Sequence, residues 1–96
     1  MYDVFLSGPI SGVKKYRENF AVAVCEARRL WPGCSVWNPA ELPDDREYVW
    51  LMKECVRALF ESRMIVMLPG WQASLEARAQ RALAESLRLE VRELET

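Results

Sequence analysis

Residues 64–68 form an unbroken apolar run that Pro69 and Gly70 bring to an end. A run of strand length without alternating polar residues is typical of a strand that is covered on both faces, as strands of parallel sheets are. Such a sheet needs helices on both sides. This segment therefore predicts an α/β fold with a buried central strand.

The rest of the chain alternates between short apolar runs and amphipathic segments. Residues 4–6 and 35–37 predict two more strands, and Leu89 with Val91 predicts a last strand with a more exposed face. In the three intervening segments apolar residues recur at three- and four-residue steps, which predicts three helices. Their predicted apolar faces are Phe20, Ala23, Val24, Ala27, Leu30 and Trp31; Tyr48, Leu51, Met52, Cys55, Val56, Leu59 and Phe60; and Leu75, Ala79, Ala82 and Leu83.

The predicted order βαβαβαβ implies parallel strands joined by right-handed crossovers, hence a three-layer sandwich with a short parallel sheet. The 96 residues fit one domain, residues 1–96. Asp44 and Asp45 are predicted to begin the second helix, because carboxylates suit a helix start. Ligands of such folds bind beyond the carboxyl ends of the strands. Residues 7–13, 38–45 and 69–74 are therefore the predicted binding loops.

Composition excludes several classes of function. The net charge is −1 with acids and bases interspersed, which gives no field for gathering a nucleic acid polymer. We see neither a secretory signal nor an apolar run that approaches membrane-spanning length. Three cysteines without metal-ligand spacing, in a chain without histidine, make a zinc site and a histidine base unexpected. We therefore expect a cytoplasmic protein with free thiols, no metal, no cofactor and no membrane partner.

The first predicted binding loop consists of Ser7, Gly8, Pro9, Ile10, Ser11 and Gly12. It brings backbone amides and two hydroxyls to a helix start, a place that attracts phosphate and other anions. Its spacing matches neither the Walker loop nor the dinucleotide-binding G-x-G-x-x-G. Two interpretations stay open: an anion site, or an ordinary tight turn between a strand and a helix.

The other two loops carry side chains with both a structural and a binding interpretation. Asn38 can satisfy backbone groups of a turn or line a pocket. Trp71 can stack on a base, cover the sheet edge or contact a second subunit. Ser74 is a predicted cap of the third helix, and Glu76 in its first turn suits the helix dipole.

Three motifs carry a family resemblance that extends over nearly the whole chain. They are LSGPISG at residues 6–12, NPAEL at 38–42, and LPGW at 68–71 followed by Ser74. They closely resemble DUF4406, a family of small bacterial and phage proteins of unknown function. That family is similar in turn to the nucleoside 2-deoxyribosyltransferases and the deoxynucleoside monophosphate N-hydrolases.

The resemblance implies a flavodoxin-like, nucleoside deoxyribosyltransferase-like fold that binds a small nucleoside or nucleotide. It also suggests a homo-oligomer, because related enzymes complete their sites across subunits. The binding residues that follow from it are Ser7, Gly8, Pro9, Ile10, Ser11, Gly12, Asn38, Glu41, Gly70, Trp71 and Ser74.

In those enzymes a glutamate on the third helix attacks the anomeric carbon and an aspartate helps to protonate the leaving base. An anion is needed because breaking an N-glycosidic bond develops oxocarbenium character, which a carboxylate stabilises. This chain departs from the pattern: Gln80 stands at the nucleophile position and Arg63 at the aspartate. Glu76 replaces a glycine, and Cys55 stands at another frequent acid position.

The catalytic candidates are therefore Glu76 and Gln80, which lie one turn apart on one face of the predicted helix. Glu41, Asp44 and Asp45 are candidates for the acid. Three hypotheses stay open. One is an N-glycosidase or deoxyribosyltransferase that uses Glu76. The others are a non-catalytic nucleotide-binding module, and an oligomeric interaction module with a degenerate site.

Overall fold

The computed structural model describes residues 1–95 and contains, within them, four strands and three α-helices. The strands are β1 (Tyr2–Ser7), β2 (Val36–Trp37), β3 (Ser62–Met67) and β4 (Glu90–Glu93), and the helices are α1 (Tyr16–Leu30), α2 (Tyr48–Phe60) and α3 (Leu75–Ser86). Short 3-10 helices at Pro39–Glu41 and Trp71–Ala73 follow β2 and β3. The predicted order βαβαβαβ is confirmed.

The strands form one parallel sheet in the order β2-β1-β3-β4. β1 and β3 are the inner strands and pair along their length, from Tyr2 with Ser62 to Ser7 with Met67. The apolar run at residues 64–68 lies mostly in β3 and is buried throughout. The prediction of a central, fully covered strand is confirmed.

Helices cover both faces of the sheet. On one face, Phe20 of α1 packs with Val4 and Val66. On the other, α2 and α3 pack through residues such as Leu59 and Ala77. The result is a three-layer sandwich with the flavodoxin-like strand order 2-1-3-4, whose topological switch point lies between β1 and β3.

The predicted apolar face of α3 is wrong except at Leu83, which packs against the core. Leu75, Ala79 and Ala82 are exposed, whereas the residues that α3 buries are Ala77, Gln80 and Ala84. Small side chains on the sheet side let the helix approach the strands closely, and the large Leu75 stands in solvent at the helix start. A prediction that follows the most hydrophobic side chains therefore chose the stripe of α3 beside the one that is buried.

The predicted start of α2 is also wrong. Asp44 and Asp45 lie in a turn, and α2 begins at Tyr48. Aspartate favours turns as readily as helix caps, and Asp44 forms an ion pair with Arg17 at 3.3 Å. Within residues 1–95, no helix combines the length and the apolar character needed to span a bilayer.

Candidate functional site

A cleft of about 170 Å³ opens at the carboxyl edge of the sheet, beside the switch point. Its walls come from the loops after β1 and β2, from α2 and from the start of α3. The apolar lining includes Ile10, Leu42, Leu51 and Met52, and the polar lining includes Ser11, Asp44, Tyr48, Glu76 and Gln80. All three predicted binding loops thus contribute to one cleft, although unequally.

Gly8 brings the ends of β1 and β3 together at the base of the cleft. A Cβ atom on Gly8 would lie 2.7 Å from the Cβ of Leu68, closer than real side chains approach. The backbone N–H of Leu68 donates to the Ser7 carbonyl at 2.8 Å. Glycine at this position is therefore explained by packing. The loop beyond it places Ile10 and Ser11 in the cleft, whereas Pro9 lines a separate groove beside α1.

The floor of the cleft contains a buried polar pair. The Ser7 hydroxyl donates a hydrogen bond of 2.6 Å to Oε1 of Gln80, and the two residues are only 1% and 9% exposed. Burial raises the pKa of the neighbouring Cys55 thiol to about 11, although a hydrogen bond from Gln80 opposes the rise. Cys55 therefore stays a neutral thiol near neutral pH, and the floor carries no charge from these three side chains.

The rim of the cleft holds the carboxylate of Glu76. The Tyr48 phenol donates to its Oε1 at 3.3 Å, and the Ser74 hydroxyl donates to its Oε2 at 3.5 Å. Ser74 also accepts from the backbone N–H of Ala77 at 3.2 Å, which confirms that it caps α3. Glu76 is therefore held between α2 and its own helix start, facing the cleft.

Residues 2–93 match a family described as a domain of unknown function, DUF4406. The chain belongs to the DUF4406 family. The match spans all of the described strands and helices, and the cleft with them. In the same comparisons, no curated protein and no solved structure matches the chain. The wider relation to nucleoside deoxyribosyltransferases stays a prediction, as do the homo-oligomer and the cytoplasmic location.

In this DUF4406 domain Asn38 has its turn-forming role. Its Oδ1 accepts from the backbone N–H of Ala40 at 3.0 Å and so begins the 3-10 helix after β2. The next residue, Pro39, is the one that lines the cleft. Glu41 ends that short helix with its side chain exposed.

Trp71 joins α3 to β4. Its indole N–H donates to Glu93 at 3.2 Å, and the guanidinium of Arg81 lies 4.4 Å from the ring centroid and also contacts Glu93, at 3.1 Å. The preceding Gly70 has φ +85°, and a Cβ atom added to it would lie 3.6 Å from Cγ of Pro9. The structure thus places Gly70 and Trp71 beside the residues that line the cleft and not among them.

The fold separates the four positions at which the sequence resemblance predicted departures from the enzyme pattern. Arg63 lies near the amino end of β3, by a groove with Asp3 and Glu90, at the edge of the sheet opposite the cleft. Cys55, Glu76 and Gln80 all line the cleft. Arg63 therefore has no access to a ligand bound there.

Sequence reasoning placed Tyr48, Leu51 and Met52 on the apolar face of the second helix and did not identify them as binding residues, but they line the cleft. The sequence feature that could have identified them is Tyr48, the first residue of the predicted apolar face, because a phenol hydroxyl at a helix start is poorly suited to a dry core. Within residues 1–95, histidine, cysteine, aspartate and glutamate side chains nowhere gather in the groups of three that a metal ion needs.

Proposed function

We propose that this DUF4406 domain binds one nucleoside or nucleotide in the cleft. The observation that carries the proposal is the meeting of apolar walls with a few fixed polar groups at the switch point of a doubly wound sheet. Small-molecule sites have this composition and are found at this place in the fold. Apolar side chains such as Leu51 and Met52 suit a planar base, and Glu76 and Gln80 suit a sugar.

The size of the cleft supports a small ligand. Its volume of about 170 Å³ lies below the roughly 300–1,000 Å³ common for drug-sized ligands. A nucleoside bound there extends past Asp44 and Tyr48, which stand exposed at the rim. A 5′-phosphate, where present, is directed toward the start of α1, which has no side-chain cap and begins beside Lys14, Lys15 and Arg17.

The chemistry that we propose for the enzyme is cleavage of an N-glycosidic bond by Glu76. Its carboxylate bonds to the anomeric carbon as the bond from that carbon to the base breaks, and water or a second base then displaces the carboxylate. The departing base takes a proton from an acid, for which Asp44 in the same cleft is the candidate, and Asp44 takes that proton from water when its ion pair with Arg17 opens. The hydroxyls of Tyr48 and Ser74 orient the Glu76 carboxylate for this attack.

The Gln80 amide supports a second candidate function, nucleotide binding without turnover. Gln80 stands at the position of the nucleophile in the related enzymes, yet it is neutral and its oxygen accepts from Ser7. An amide so placed cannot attack the anomeric carbon. In this alternative Glu76 contacts a ligand hydroxyl and no bond is broken.

One experiment separates these functions. The four deoxynucleosides and their 5′-monophosphates are added at millimolar concentration, and thermal unfolding and release of free base are measured for the same samples. A bound ligand raises the midpoint of unfolding by mass action. Stabilisation with base release supports the enzyme, and stabilisation alone supports the binding module. Absence of both for every compound rejects the proposed function.

Glu76→Gln tests the proposed nucleophile, because it preserves shape and removes charge. We expect base release to stop in this variant while ligand stabilisation persists. The matched control is Glu85→Gln, which makes the same change on an exposed position of α3. Base release that survives in Glu76→Gln would exclude the nucleophilic role.

A further inference from the structure

We infer that Gln80 determines the specificity of the cleft, because its side-chain N–H is a fixed donor for an oxygen atom of the ligand's sugar. The inference rests on the proposed binding of a nucleoside or nucleotide. It states that one residue, Gln80, selects which part of the ligand contacts the floor of the cleft. It holds whether or not a bond is broken there.

The orientation of the Gln80 amide follows from the length of its contact with Ser7. The two atoms are 2.6 Å apart, a usual distance for O–H···O and shorter than the roughly 2.7–3.2 Å of N–H···O. The amide oxygen therefore faces Ser7, and the amide nitrogen faces the other way. Ser7 is 1% exposed, so its hydroxyl has no competing water to bond.

The amide nitrogen is left facing the cleft. It carries two N–H groups, and the hydrogen bond from Ser7 engages only the amide oxygen. Within residues 1–95, every buried side-chain nitrogen or oxygen has a hydrogen-bond partner. Since Gln80 lines the cleft and its amide nitrogen is not among buried atoms without a partner, a ligand in the cleft meets these N–H groups.

The charges around Gln80 select the kind of ligand group that it binds. Glu76 lies one turn earlier on the same helix and brings a carboxylate to the same cleft. A phosphate at this point would be repelled, whereas a sugar oxygen accepts from Gln80 and a sugar hydroxyl donates to Glu76. The sugar therefore lies against α3, and a phosphate, where present, lies on the opposite side of the cleft, toward the start of α1.

The test compares Gln80→Glu with the wild-type chain by calorimetry against deoxynucleosides, their 3′-deoxy counterparts and their carbocyclic counterparts. The substitution keeps an oxygen acceptor for Ser7, removes the N–H and adds a negative charge, and the comparison among analogues subtracts the effect of that charge because it is common to all of them. We expect binding of deoxynucleosides to weaken about tenfold, as loss of a desolvated donor does. The weakening should disappear for the one analogue that lacks the oxygen bound by Gln80.

Gln72→Glu is the matched control, because it makes the same change on the exposed Gln72 and should leave affinity unchanged. Ser7→Ala keeps Gln80 but releases its oxygen, so a several-fold weakening is expected even if Gln80→Glu fails to fold. Unchanged affinity in both variants overturns the inference, as does a loss of equal size for every analogue. A wild-type chain that binds none of the compounds rejects the proposed function itself.

Discussion

The hydroxyl of Tyr48, the first residue of α2, lies 3.3 Å from the Glu76 carboxylate in the first turn of α3. The contact joins two helices across the rim of the cleft. The Tyr48 pKa is raised, first by desolvation and then by the negative charge of Glu76. Because the phenol is still partly exposed, its titration can be observed directly.

We predict that Glu76→Gln lowers the Tyr48 pKa part of the way to its ordinary value, leaving the contribution of desolvation. Tyrosinate absorbance measured against pH, with Tyr48→Phe used to subtract the other tyrosines, isolates this phenol. Glu61→Gln, an exposed carboxylate at the end of α2, serves as the control. Identical titration curves for Glu76→Gln and the wild-type chain would contradict the contact.

Two glycines of the first loop are required for different reasons, and substitution should separate them. Gly8→Ala places a Cβ against the Leu68 Cβ and should destabilise the fold by about 1–3 kcal/mol. Gly12 has open space around it but a φ of +78°, which costs alanine about 1–2 kcal/mol.

Asparagine distinguishes the two positions, because it tolerates a left-handed backbone and still carries a Cβ. Gly12→Asn should therefore be less harmful than Gly12→Ala, whereas Gly8→Asn should be at least as harmful as Gly8→Ala. Unfolding in urea measures all four variants. Leu68→Ala retains the Cβ atom at 2.7 Å and removes only the looser contacts with Cγ and Cδ2 at 3.3 Å, so it should not restore the stability lost in Gly8→Ala, and full recovery in that double variant would count against this explanation.

The order of strands and helices was predictable from the sequence because it depends on the spacing of apolar residues and on the Gly and Pro residues that end the segments. The apolar run at residues 64–68 can be covered only by helices on both sides, and the order of segments then fixes a parallel sheet. The buried face of α3 was not predictable in this way. Alanines and Gln80 form that face, and their low hydrophobicity hides a burial that depends on how closely α3 approaches the sheet.

The candidate site was predictable at the level of loops and less so at the level of side chains. Gly8 was placed near the cleft by the topology rule, and Glu76 by its position one helical turn before Gln80, the residue to which the family resemblance drew attention. The contact of Asn38 with Ala40 is local and matches one of its two sequence-based interpretations, whereas the contact of Trp71 with the distant Glu93 is one that no local pattern encodes. Tyr48 was missed because its stripe resembles a core face.

We predict that Trp71→Phe destabilises the fold while leaving ligand affinity unchanged within about twofold. The change removes the indole N–H that bonds Glu93 and weakens the contact with Arg81. A hydrogen bond to a charged group contributes roughly 1.5–3 kcal/mol, with the lower end expected at this partly exposed position. A loss of nucleoside affinity at unchanged stability would instead place Trp71 against the base.

The Cys55 thiol should make the stability of the fold depend on pH in a defined window. Its pKa is raised from 9.0 to about 11, chiefly by burial, so the folded state holds the proton to higher pH than the unfolded chain does. The stabilisation is therefore complete below pH 9 and is lost as pH rises through 11, by on the order of 2–3 kcal/mol.

Other groups titrate in the same pH range, so the effect of Cys55 must be measured as the difference in the free energy of unfolding between the wild-type chain and a variant without this thiol. The free energy of unfolding is determined in urea between pH 8 and pH 11 for the wild-type chain and for Cys55→Ala. The variant is less stable at pH 8 because it leaves a cavity beside Gln80, but the gap should narrow steadily above pH 9. Cys34→Ala, which removes a half-buried thiol elsewhere, is the control, and we expect it to lack this narrowing. If the Cys55→Ala curve runs parallel to that of the wild-type chain, the thiol ionises equally in both states and its burial does not govern its pKa.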